Sequence, residues 1–144
     1  MSGQDNKTVV RRYYEEVFNQ RRTSLIDQLA VEDYVEHDPF PGQGNGRADL
    51  TARVQAILGA FTPLQFRLED LVAEKDQVVA RWSQTGTHTG AFMGIAPTGR
   101  QFTITGIDIH KLRDGRMAEH WHVVDLHALL QQLGAIPAPD TTPA

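Results

Sequence analysis

Residues 102–133 read FTITGIDIHKLRDGRMAEHWHVVDLHALLQQL, and the pattern inside them decides the fold. Arg113-Asp114-Gly115-Arg116 stands between two β-rich segments, and Asp-Gly in that setting marks a tight hairpin. A three-residue turn, with Gly115 in the left-handed bulge position, sets Leu112 opposite Arg116. It then pairs Asp108 with His120 and Gly106 with His122. Because side chains alternate along a strand, Ile104, Gly106, Asp108, His110 and Leu112 share a face with Ala118, His120, His122 and Val124. Ile107, Ile109, Met117, Trp121 and Val123 take the other face. A two-residue Asp114-Gly115 loop shifts the pairing by one and mixes the two sets, so the turn decides whether the titratable residues cluster.

The 144 residues, 40% of them hydrophobic, suffice for one domain with a real core. It is expected to span residues 1–136, followed by a disordered tail over 137–144. The formal net charge is -4, and the densest basic spots, Arg11-Arg12 and Arg21-Arg22, suit a solvated helix face. Nucleic acid is therefore not the expected partner. Without cysteine, disulfides, thiolate nucleophiles and Cys-ligated zinc are excluded. The opening MSGQDNKTVV is polar and no run reaches the roughly 18 apolar residues of a membrane span, so a soluble cytoplasmic protein is the expectation.

Outward from the hairpin, Val9, Val10, Tyr13, Tyr14, Val17 and Phe18 recur with helical spacing after an N-cap at Asp5 or Asn6. The two tyrosines read as core aromatics. A short helix over 24–29 and a third over 48–61 follow, separated by a Pro- and Gly-rich loop in which no regular element is expected. Strands are predicted over 65–74 and 77–88, the latter with Val78, Ala80 and Trp82 on one face. Residues 87–98, THTGAFMGIAPT, suit an apolar flap over a pocket or a plain hairpin connection. Leu126, Leu129, Leu130 and Leu133 form a last helix that Gly134 stops. Helices followed by antiparallel strands and a closing helix make an α+β fold, a strongly curved sheet around the helices enclosing a conical pocket.

VEHDPFPGQG (35–44), Val79-Ala80-Arg81-Trp82, GTHTGAFMGIAPTGR (86–100), DGRMAEHW (114–121) and LLQQLG (129–134), in that order, resemble the SnoaL-like polyketide cyclases of the NTF2-like superfamily. The resemblance implies the NTF2-like cone and a pocket acid/base that closes a ring by intramolecular aldol chemistry, without metal or organic cofactor. The family's aspartate on the last strand falls on His122, and the partner position on the preceding strand on Asp108. Asp125 is a second match for the acid, although it also suits a helix cap.

An aldol closure needs a base for a proton on carbon flanked by carbonyls and a donor for the developing oxyanion. His122 with Asp108 is the candidate catalytic pair; His122 as base would put the acid limb of kcat/KM at about 6 to 7, and an Asp108 beside the imidazolium would move it up. His120, His110, His37, Trp82, Phe40, Phe92 and Met93 are the candidate substrate contacts. His120, His122 and Asp108 are also the residue types of a two-histidine, one-carboxylate metal site, whereas the resemblance implies none. The expected ligand is a hydrophobic, polyketide-derived small molecule and the expected assembly a homodimer. Hydroxylase-like or epoxide-opening chemistry and non-catalytic ligand binding are the alternatives.

Overall fold

A computed structural model describes residues 2–139. Four antiparallel strands follow one another along the sheet: β2 (Phe61–Glu74), β3 (Gln77–His88), β4 (Gln101–Arg113) and β5 (Arg116–Val124). A further strand, β1 (Ala30–Glu36), runs parallel to β5, giving the order β1-β5-β4-β3-β2. Sequence reading places no element at 30–36. The signal was the β-prone Val31, Tyr34 and Val35, and it is masked by the Pro/Gly loop that follows at once.

The first helix, α1 (Gly3–Arg12), starts earlier than expected: Ser2 is the N-cap, its Oγ accepting from Asp5 N–H at 3.1 Å while Asp5 accepts from Ser2 N–H at 3.3 Å. That reciprocal pair satisfies two amide donors at the helix start. The chain continues as a π-helical segment, Tyr13–Asn19, which buries Tyr13, Tyr14, Val17 and Phe18 against the sheet; π segments recur where a helix serves a site. A 3-10 turn (Thr23–Leu25), α2 (Ile26–Leu29), α3 (Arg47–Ala60) and α4 (Leu126–Gln132) complete the fold. Asp125 accepts from Ala128 N–H at 3.1 Å and so caps α4. Gly134, at φ 77°, ends that segment.

The decisive hairpin differs from expectation in a way that leaves its face intact. Asp114 and Gly115 both have positive φ, 53° and 76°, and Arg113 pairs with Arg116, a two-residue turn whose twist matches the strands. Alone it would mix the two faces. A bulge between Lys111 and Leu112 on one strand and Met117 to Glu119 on the other inserts one residue on β5 and restores the parity. Asp108 therefore faces His122, and His110 faces His120, two residues along β5 from the expected pairs. Met117, expected outside, is buried with Ala118.

Alternate residues of β3 and β4 turn inward, Trp82 and Gln84 on one, Ile104, Asp108 and His110 on the other, and pack with the helices into one core. The missing Cβ of Gly106 makes room for Trp82, since a methyl there would stand 2.2 Å from the indole ring. Ile107 and Val123 remain exposed on the outer face. No helix among the described residues is long and apolar enough to cross a membrane. Of the predicted tail, 137–139 form no regular element and 140–144 lie outside the described residues.

Candidate active site

The hairpin supplies the centre of the site. Asp108, His110 and His120 are almost wholly buried, and His122, one pleat nearer the open end of the sheet, is half-buried. The imidazoles stack in a row, His110 on His120 and His120 beside His122, each with ring centroids 4.8 Å apart.

The first helix adds the groups that orient Asp108 and His110. Tyr14 O–H donates to Asp108 Oδ2 and lies 2.7 Å from His110 Nε2. Having spent its one proton on the carboxylate, the phenol must accept from His110 Nε2–H, so His110 is the Nε2-protonated neutral tautomer. Burial and the neighbouring His120 push the His110 pKa down to about 3. Burial and Asp108 hold the Tyr14 hydroxyl well above the ordinary phenol value, so it stays a donor.

β1 and α3 add the opposite side. Glu36, 2% exposed, accepts from His120 Nδ1–H at 2.6 Å and from Arg53 Nη1–H at 3.1 Å, and Arg53 Nη2–H donates to Tyr13 at 3.1 Å. Burial alone would raise the Glu36 pKa, but His120 and Arg53 bring it to about 2. For Asp108 too, burial is outweighed, by His120, His110 and Tyr14, and its carboxyl lies well below the usual range. Between two such anions His120 is raised above its ordinary value, despite the desolvation that opposes its charge.

His122 is set the other way. Its Nε2–H donates to the Asp38 carbonyl at 2.7 Å, and its backbone N–H to the Asp38 carboxylate at 3.0 Å. The tautomer leaves Nδ1 as a free lone pair. Burial, the His120 charge and Arg53 hold His122 below the ordinary histidine value. Adjacent residues of one strand face thus carry opposite protonation tendencies.

Asp108, His120 and His122 line a cavity of about 50 Å³ with Phe18, Phe61, Phe66, Trp82 and Phe92. Phe40 closes it against His122, edge to face at 5.3 Å, with Arg53 5.9 Å from the Phe40 ring centroid. A groove of about 350 Å³ between the Phe40 loop, α3 and the flap adjoins it.

Of the candidate residues, Trp82, Phe40, Phe92, Asp108, His120 and His122 line the cavity; His110 lies behind Asp108 and Tyr14. Two stand elsewhere. His37 is exposed, stacked on Trp121 at 4.4 Å and paired with Glu119 at 2.8 Å, because the parity of β1 turns the residue after Glu36 outward. Met93 is an exposed flap residue at φ 49° that borders the groove but does not line the cavity. His122 and Asp108 face one another in register without a hydrogen bond, each engaged by another group. Among the described residues, potential metal donors converge as Glu36, His120 and His122 or as Asp108, His110 and His120; His120, His122 and Asp108 do not form such a group.

Tyr14, Glu36 and Arg53 were not singled out in the sequence. Arg53 did carry a signal: it lies three residues after Leu50 and four before Ile57, a cation on the apolar stripe of α3.

Other proteins are similar to this chain in sequence or in fold. The nogalonic acid methyl ester cyclase of Streptomyces nogalater is 30% identical over 130 residues, 85% of this chain and 92% of that one. TsrD of Streptomyces laurentii superposes with a TM-score of 0.86 at 29% identity, covering 94% of this chain and 99% of its own. AclR of Streptomyces galilaeus, a proposed hydroxylase, does so with a TM-score of 0.85 at 28% identity, covering 97% and 87%. Residues 8–133 match the SnoaL-like polyketide cyclase family, and with the curved sheet and the helices at its mouth the chain belongs to that family.

Proposed function

We propose that this chain is a cofactor-free, cytoplasmic acid/base enzyme that closes a ring in a polyketide-derived substrate by intramolecular aldol addition. The observation that carries the reading is the contrast between His120 and His122 in one aromatic-lined cavity. Surroundings that push two titratable groups apart assign the acid and the base. His122, neutral with Nδ1 free, is the base for the proton on carbon between two carbonyls. Asp108 acts on His120 and Tyr14 as a fixed anion, not on His122 as its partner. The aromatic walls suit a planar polycyclic substrate.

Phe40 and Phe92 line both the cavity and the groove, so a polycycle that spans the two displaces their rings. The outer face, where Ile107, Ile109, Trp121 and Val123 border a groove, supports pairing of two copies.

The reading is tested by incubating the purified protein with anthraquinone-type polyketide methyl esters. Ring closure by aldol addition gives a product of unchanged mass, and turnover should persist after chelation of metals. A product heavier by one oxygen would favour hydroxylation, the chemistry proposed for AclR, and overturn the cyclase reading.

A further inference from the structure

Glu36 does not line the cavity, yet its carboxylate is engaged on all sides. Oε1 accepts from His120 Nδ1–H and Arg53 Nη1–H, and Oε2 from Asp38 N–H at 3.1 Å. The parallel pairing of β1 with β5 sets Glu36 beside His120, and His37 N–H donates to His120 O at 2.9 Å, so the two side chains are held in one register. With Nδ1 committed to Glu36, the other nitrogen of His120 is directed at Asp108. There Nε2 and Asp108 Oδ1 stand 3.6 Å apart, and each is buried without any hydrogen-bond partner. A buried donor and a buried acceptor left open side by side are costly. Both belong to residues that line the cavity; each atom has almost no surface open to water, so an oxygen that accepts from one and, as a hydroxyl, donates to the other enters with a small shift of the Asp108 or His120 side chain.

We propose that His120 is the acid of the ring closure and that Glu36 is the positioning residue that makes it so, by fixing the ring with Nε2–H presented to the substrate carbonyl under attack. The assignment rests on the cyclase reading above. His122 Nδ1 takes the proton from the carbon between two carbonyls. That carbon forms the new C–C bond, and the π pair of the attacked carbonyl moves to its oxygen, which takes the Nε2 proton of His120. One proton has left the substrate and one has entered, so the product is an isomer. The enzyme resets when the proton on His122 is exchanged for one on His120. No oxidant, reductant or further reactant is needed.

The groups around His120 agree with this role. Glu36 from β1 and Asp108 from β4 are anions, Arg53 from α3 is a cation, and His110 and His122 are neutral. One more positive charge, on His120, balances the set.

The experiment follows the histidine rings by NMR as a function of pH in the substrate-free, full-length protein. The His120 signals should show an imidazolium at neutral pH. In Glu36→Gln, which keeps the shape and removes the charge, its pKa should fall by about one unit or more. The alkaline limb of kcat/KM should fall with it, and kcat by about tenfold or more, with KM little changed. Should Glu36→Gln fail to fold because Arg53 is left unpaired, Glu36→Gln/Arg53→Met removes both charges; because Glu36 raises the His120 pKa more than Arg53 lowers it, the pKa should still fall, by less than in Glu36→Gln alone. A His120 pKa that does not move in the variant that folds, or a kcat equal to wild type, overturns the assignment. The NMR titration needs no turnover, so absence of cyclase activity with a displaced His120 pKa would contradict the function and not the Glu36–His120 coupling.

Discussion

His122 and His120 differ by two positions in sequence and by the atom that holds each ring. A backbone carbonyl takes Nε2–H of His122 and leaves Nδ1 basic, whereas a carboxylate takes Nδ1–H of His120 and favours its charged form. This contrast was legible only in part. Strand parity places Asp108, His120 and His122 on one face, which period-two alternation provides. The partners come from β1, α3 and the first helix, and nothing local in the hairpin announces Glu36 or Tyr14. The family resemblance paired Asp108 with His122, while the fold sets its carboxylate against Tyr14 and His120. His122→Ala should lower kcat by about a hundredfold or more, whereas His127→Ala, at an exposed position of α4, should leave it unchanged. Steady-state kinetics on both variants checks this, and equal loss in the two would contradict the role of His122.

The elements show the same division. Helix spacing, the long β3 strand and the Gly134 stop are local properties and were readable. The bulge at Lys111/Leu112 was not, because it compensates a turn type that the Asp-Gly signal leaves open. β1 was missed for a related reason: it is a short strand whose parallel partner lies some 80 residues on, so pattern within its own window is weak. The flap lies at the same scale. Phe92 rests on Phe61 at 5.0 Å, and the flap's ends are tied by Gly90 N–H to Ala60 O and Gly99 N–H to His88 O, both 2.9 Å. His88 is the buried last residue of β3, its Nδ1 accepting from Thr98 N–H at 3.2 Å. A polycycle entering from the groove passes Phe92 and meets Trp82. In Trp121→Phe, where Trp82 is the sole indole, titration with an anthraquinone should quench the fluorescence with saturation. An unchanged signal at high micromolar ligand would rule out the aromatic cavity as the binding site.

For the whole molecule, a curved sheet with helices on one side leaves its other side to be covered. Ile107 is 48% and Val123 76% exposed there, a patch more apolar than an isolated surface strand needs. The family fold was legible because five motifs appear in order along the chain; assembly depends on surfaces that no motif marks. Analytical ultracentrifugation should show a dimer at micromolar concentration, and Val123→Lys should shift it toward monomer. A wild-type protein that sediments only as monomer would contradict the pairing. The chemistry of the whole site is read most directly from kcat/KM against pH for the wild-type enzyme on a polyketide ester it turns over. The base is lost as pH falls through the His122 pKa, below the ordinary histidine value of about 6.5, and the acid is lost as pH rises through that of His120, above it. The profile should therefore be a broad bell with its two limbs on either side of 6.5. A profile with no alkaline limb, its only limb in the carboxylate range near about 4, would show Asp108 acting alone and contradict the histidine pair.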